Sequence, residues 1–134
     1  MFEDMTWWNE PPEWSADGDE LRAVTGERTD GLEVTGGSVH VSTVLTRDFS
    51  DVSMADLTPG PHPEIAMRVS RFGEALAVHC RTGGEPWQLL RLGYLDLPAT
   101  VDVGVMCCSP SRAGLEATFR DFRVGPPMSR EGLE

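Results

Sequence analysis

The chain contains no lysine, and all eleven of its basic residues are arginines. Schiff-base chemistry and any lysine nucleophile or base are therefore excluded. An arginine-only basic set also fits a GC-rich bacterial coding sequence. No apolar run approaches the roughly 20 residues a helix needs to span a bilayer. The N-terminal Met1-Phe2-Glu3-Asp4-Met5 is acidic where a secretory signal is basic, and Trp7-Trp8-Asn9-Glu10-Pro11-Pro12 follows in place of an apolar stretch. The expected location is cytoplasmic. Cysteine is scarce, at three residues, with no Cys-x-x-Cys. Neither a disulfide framework nor a zinc cluster is expected, and Cys80 with one of the adjacent Cys107 and Cys108 reads as small core residues. Helix-period segments and internal repeats are also missing.

A basic face is missing as well. The formal net charge is −11. Residues 1–60 carry 13 acidic and 3 basic side chains, while residues 61–134 carry 9 and 8. Nothing in either half would displace counterions from a phosphate backbone, so nucleic acid and anionic membrane are not expected as partners. At 134 residues and 40% hydrophobic composition, the chain is long enough for one core. The domain is expected to cover residues 1–125, with 126–134 as a flexible tail after Gly125-Pro126-Pro127 and nothing there to bury.

What is present is alternation. Ile65, Met67 and Val69 alternate with Ala66, Arg68 and Ser70, and Leu76, Val78 and Cys80 alternate with Ala77, His79 and Arg81. Residues 87–92, 101–107 and 115–124 continue the pattern. A period of two puts alternate side chains on opposite faces of a pleated sheet, so these runs read as antiparallel strands with one face packed. Earlier strands are expected within the segment 6–14, a short one containing Trp7 and Trp8 and ended by the two prolines, at 20–25 after the Asp17-Gly18 turn, and at 38–46 after Gly36-Gly37. Residues 47–62, rich in Asp, Ser and Pro, read as a long surface loop. Turns are expected at Gly73-Glu74 and Gly83-Gly84. In the last strand Phe119 and Phe122 have opposite parity, so either they face different sides or a bulge at Arg120-Asp121 brings them together. The fold class that follows is all-β, an antiparallel two-sheet sandwich of roughly seven to nine strands.

The motifs name no reaction. Two-carboxylate glycoside hydrolysis needs acids placed across one cleft, and Asp17, Asp19 and Glu20 fall in a turn while Glu10 and Glu13 flank prolines. Ser38 is not in a Gly-x-Ser-x-Gly elbow. His40, His62 and His79 lack ligand spacing, and Arg81-Thr82-Gly83-Gly84-Glu85 is explained by a hairpin. No catalytic residue, metal or cofactor is expected, and the domain is not expected to be an enzyme. The best candidates for recognition are Arg47, Asp48, Ser50 and Asp51, which set an arginine fork, carboxylates and a hydroxyl beside Phe49, together with Trp87 beside the Gly83-Gly84 turn. Internal pairing of Arg47 with Asp48 or Asp51 would give that segment a purely structural role.

Several of these segments resemble one family. Trp8-Asn9-Glu10-Pro11 with Trp14, residues 40–51, Trp87-Gln88-Leu89-Leu90-Arg91, residues 104–110, Ala113-Gly114-Leu115 and residues 119–122 are similar to the domain of unknown function related to the yeast regulation-of-enolase protein. The resemblance implies a shortened, concanavalin A-like jelly roll. Two departures stand out: Thr29-Asp30 runs directly into Gly31-Leu32-Glu33-Val34 where the family has a block of strands, and Val52 stands at a position usually occupied by tryptophan. By analogy the resemblance implies either a non-catalytic carbohydrate-binding domain or a protein-interaction domain regulating a metabolic enzyme, with a degenerate domain as a third reading. Loss of central strands would leave an unpaired edge such as residues 38–46, for which the expectation is a homodimer.

Overall fold

The computed structural model describes residues 2–24, 39–57, 64–107 and 113–133. Eight strands lie among them: β1 (Glu13–Asp17), β2 (Glu20–Val24), β3 (Val39–Arg47), β4 (Phe49–Leu57), β5 (Ile65–Phe72), β6 (Ala75–Thr82), β7 (Gln88–Tyr94) and β8 (Glu116–Arg120). Among the described residues every strand pairing is antiparallel, and the helical content is two short 3-10 turns at Phe2–Asp4 and Arg130–Leu133. The protein is all-β, as the alternation implies. It divides into one unit drawn from residues 1–34 and 102–125 and a second from 35–101 and 126–134.

The first unit is a sheet in the order β1-β2-β8. Asp17 pairs with Glu20 across a two-residue turn opened by Gly18, whose φ of 56° is one that a residue without Cβ adopts freely. Leu21 and Ala23 are buried, with Trp14, Ala16, Ala117 and Phe119 opposite them in the register, so one face is apolar. Arg22 and Arg120 project from the other face. Phe2 is buried and packs on Phe122, with ring centroids 5.9 Å apart.

In the second unit β3 and β4 form a two-stranded ribbon and β5-β6-β7 a three-stranded sheet. Every residue of β6 from Leu76 to Cys80 is buried, as a central strand covered on both faces requires. β7 packs against β3 and β4. A Cβ at Gly93 would lie 2.5 Å from Leu45 Cδ1, so a larger residue there requires the end of the Leu45 side chain to move. A bulge between Val78 and His79 shifts the register with β7.

Four expectations are corrected. Trp7 and Trp8 are not in a strand; β1 begins beyond the prolines, and Trp7 instead packs edge-on against Trp14 at 5.3 Å. Residues 49–57 are not a loop but β4, nine residues in full register with β3, because pairing supplies what the polar composition hides. Residues 101–107 alternate yet form no strand, and no partner ladder meets them among the described residues. The last strand stops at Arg120 because Asp121 turns into the left-handed region, φ 54°, where its amide donates to the carbonyl of Asp19. Met128 is half-buried, its amide donates to the hydroxyl of buried Ser70 at 3.5 Å, and the Arg130 guanidinium lies 5.7 Å from the Phe72 ring. Residues 25–38, which include the Gly36-Gly37 turn and the shortened junction at 29–34, lie outside the described residues, as do His62 and Cys108.

Candidate functional site

Arg47, Asp48, Ser50 and Asp51 come together at the tip of the β3–β4 hairpin. Arg47 pairs with Phe49, and Asp48 alone turns the chain between them with φ 58°. Aspartate tolerates this left-handed conformation better than most residues because its short side chain can bond locally. The next pair down, Thr46 and Ser50, link their hydroxyls at 3.0 Å. Arg47 reaches outward to Asp96 at 3.2 Å. Asp51 takes two bonds from Arg91 on β7, one to its carboxylate at 2.5 Å and one to its backbone carbonyl at 3.2 Å. The arginine therefore pairs with neither of the two acids beside it in sequence, and both ion pairs tie the tip to the strand or loop it faces. Because the Arg91 side chain is only 13% exposed, its bond to Asp51 is better shielded from solvent than the outer pair.

These contacts leave one large group uncovered. Phe49 is 86% exposed, next to Ser50, whose hydroxyl bonds Thr46, and opposite Arg47, which pairs with Asp96. Val44, Val52 and Met54 are exposed farther along the ribbon, Val44 and Val52 facing each other in register. Val52 thus occupies an exposed strand position, which the sequence placed in a loop. At the far end of that face His40 Nδ1 lies 2.6 Å from Asp56.

Trp87 is elsewhere. The β5–β6–β7 register places Arg81 and Arg68 on the face opposite the one from which Arg91 meets Asp51. The guanidinium carbons of Arg68 and Arg81 lie 4.5 and 4.6 Å from the Trp87 ring centroid. The five candidate residues are therefore two groups, not one site. The arginines that surround Trp87 come from two other strands and could be associated with it only through the sheet register.

Other polar groups organise the units. Arg22 is forked between Glu13 at 2.7 Å and Glu116 at 2.8 Å, and its hydrogen bond holds the Glu116 carboxyl below the usual range while raising its own pKa. Arg71 donates to three backbone carbonyls, Gly73 at 2.9 Å, Leu97 at 2.9 Å and Pro98 at 2.7 Å. His79 is buried in the core of β6 and Cys80 beside it is a buried free thiol. Among the described residues no cluster of three or more His, Cys, Asp or Glu side chains is placed to hold a metal ion. No helix among them is long and apolar enough to cross a membrane.

Comparison with known proteins returns a family model described as protein of unknown function (DUF1349), which matches residues 31–127. A curated relative, "Regulation of enolase protein 1" of Saccharomyces cerevisiae, is 30% identical over 100 residues, covering 75% of this chain and 50% of the relative. The chain thus spans about half the length of that relative. No solved structure matches it significantly.

Proposed function

The chain belongs to the DUF1349 family of proteins of unknown function, and on that premise we propose that it is a non-catalytic interaction domain that docks on a metabolic enzyme through the β3–β4 tip. The observation that carries this reading is Phe49, 86% exposed on a hairpin end that two ion pairs hold in place. An exposed aromatic ring on a pre-ordered base is the form of an interface anchor, because it buries a large area at little cost in conformational entropy. Arg47, Asp48 and Ser50 around it form a polar rim.

Carbohydrate binding is the weaker reading. A sugar is held by free donors and acceptors around an open aromatic plate. At the tip Arg47, Ser50 and Asp51 are already engaged with protein partners, and at Trp87 two guanidiniums lie against the ring. The relative's name concerns regulation of enolase, which makes enolase the natural first probe for this chain.

The test measures binding of purified yeast enolase to the immobilised chain and to Phe49→Ala. Wild type is expected to bind saturably, and the variant about tenfold or more weakly, as loss of an anchor side chain implies. Its melting temperature should stay unchanged, because an exposed ring contributes little to stability. Absence of enolase binding together with saturable tryptophan fluorescence changes on titration with sugars would overturn the proposal in favour of the carbohydrate reading.

A further inference from the structure

Among the described residues, most arginines have an evident partner. Arg22, Arg47, Arg91, Arg120 and Arg123 each meet a carboxylate. Arg71 is satisfied by carbonyls, and Arg130 lies over Phe72. Arg68 and Arg81 are different: each stands against Trp87, and neither reaches a carboxylate among the described residues. Arg81 pairs with Ala66 and Arg68 with His79, so the two arginines are diagonal neighbours on one sheet face, and their guanidinium carbons, at 4.5 and 4.6 Å from one ring centroid, are at most about 9 Å apart. Arg68 Nε is buried and has no hydrogen-bond partner. Two cations held close together without a counter-charge, one with an unsatisfied buried donor, form an arrangement that an anion would complete.

We propose that Arg68, Arg81 and Trp87 form a binding site for the phosphoryl group of a small molecule. A guanidinium bonded to a phosphate oxygen has its carbon about 4 Å from phosphorus, so two arginines share one phosphate once their guanidinium carbons are within about 8 Å, a closure of about 1 Å at most from the widest separation these distances allow and within reach of two flexible side chains. A phosphate monoester carries close to two negative charges at neutral pH, matching the two guanidiniums, whereas a carboxylate carries one. The indole edge offers apolar surface to whatever the phosphate is attached to. A nucleic acid is the wrong size for the same chemistry, because the net charge of −11 repels a polyanion over the distances at which a single phosphate is not repelled. The site lies on the sheet face opposite the Arg91 bond to the hairpin tip, so its test and the enolase test succeed or fail separately.

The experiment is calorimetric titration of the chain with phenyl phosphate and with inorganic phosphate, at constant ionic strength set with chloride. Saturable binding to wild type is expected. Tighter binding of phenyl phosphate identifies a monoester as the ligand class, and equal affinities identify free phosphate. Arg81→Gln, at an exposed position, should weaken binding about tenfold, and Arg68→Gln with Arg81→Gln should abolish it. Circular dichroism of each variant confirms the fold. No saturable heat with wild type, or an unchanged affinity in Arg81→Gln, overturns the proposal. So does an equal rise in melting temperature when chloride replaces phosphate at the same ionic strength.

Discussion

Replacing Arg71 by methionine should cost the protein about 2 kcal/mol of stability, a figure that follows from the three carbonyls it serves. The side chain leaves β5 and ties down the chain that follows β7, bonding the carbonyls of Leu97 and Pro98 as well as that of Gly73 in its own hairpin turn. The bond to Leu97 is part-buried and those to Gly73 and Pro98 are exposed. A shielded charge-assisted bond contributes about 1 kcal/mol and each exposed one about 0.5 kcal/mol, giving about 2 kcal/mol in all. Methionine keeps most of the apolar stem, so packing changes little. For a chain of this size the loss corresponds to a fall in melting temperature of about 8 °C. Urea denaturation and thermal melts measure it. Hydrogen exchange localises it: the Leu95 amide, which donates to the carbonyl of Glu74 at 2.8 Å, should lose protection. Arg71→Lys should recover less than half of the loss, because one ammonium cannot reach three diverging acceptors. A change below about 0.5 kcal/mol in Arg71→Met, or full recovery with lysine, would refute the reasoning.

Asp48→Gly should be neutral or slightly stabilising, whereas Asp48→Val should cost about 1–2 kcal/mol, because φ 58° suits glycine and strains a β-branched residue; equal melting temperatures for the two variants would count against the tight turn. Glu116 is held below its ordinary 4.5 mainly by its hydrogen bond from Arg22, so its contribution is present above that value and is lost as acid titrates the folded carboxyl. Glu116→Gln should therefore destabilise the protein at pH 7 and differ progressively less from wild type below pH 4.5, as a series of urea melts across the acid range would reveal.

The strands that were legible in the sequence are those whose own residues state their pattern. β5 and β6 alternate on either side of a β-hairpin turn at Gly73, a second turn at Gly83 closes β6, both glycines have positive φ, and the apolar run in β6 reports its central place. The same alternation put the chain in the all-β class, and the segment resemblance led to the family. β4 was illegible because Asp51, Ser53 and Asp56 mask its period, and only the register with β3 makes it a strand. Residues 101–107 show the converse, since alternation without a partner ladder is not a strand. The N-terminal tryptophans were misread for a related reason: aromatic β-propensity reflects packing on a sheet that exists only after β1, β2 and β8 have met.

Sequence by itself determined what this protein is made of: arginine as its sole basic side chain, an acidic balance, period-two runs, and the residues Arg47, Asp48, Ser50, Asp51 and Trp87 as polar and aromatic groups at turns. The tertiary structure alone decided which charges meet. Arg47 is 49 residues from Asp96, Asp51 is 40 from Arg91, and Trp87 draws its two guanidiniums from different strands. Such pairs follow from strand register and from which sheet face a residue occupies, and a shift of one residue would exchange every one of these partners. Local composition therefore named the groups, and long-range pairing left Phe49 exposed and set two cations against Trp87.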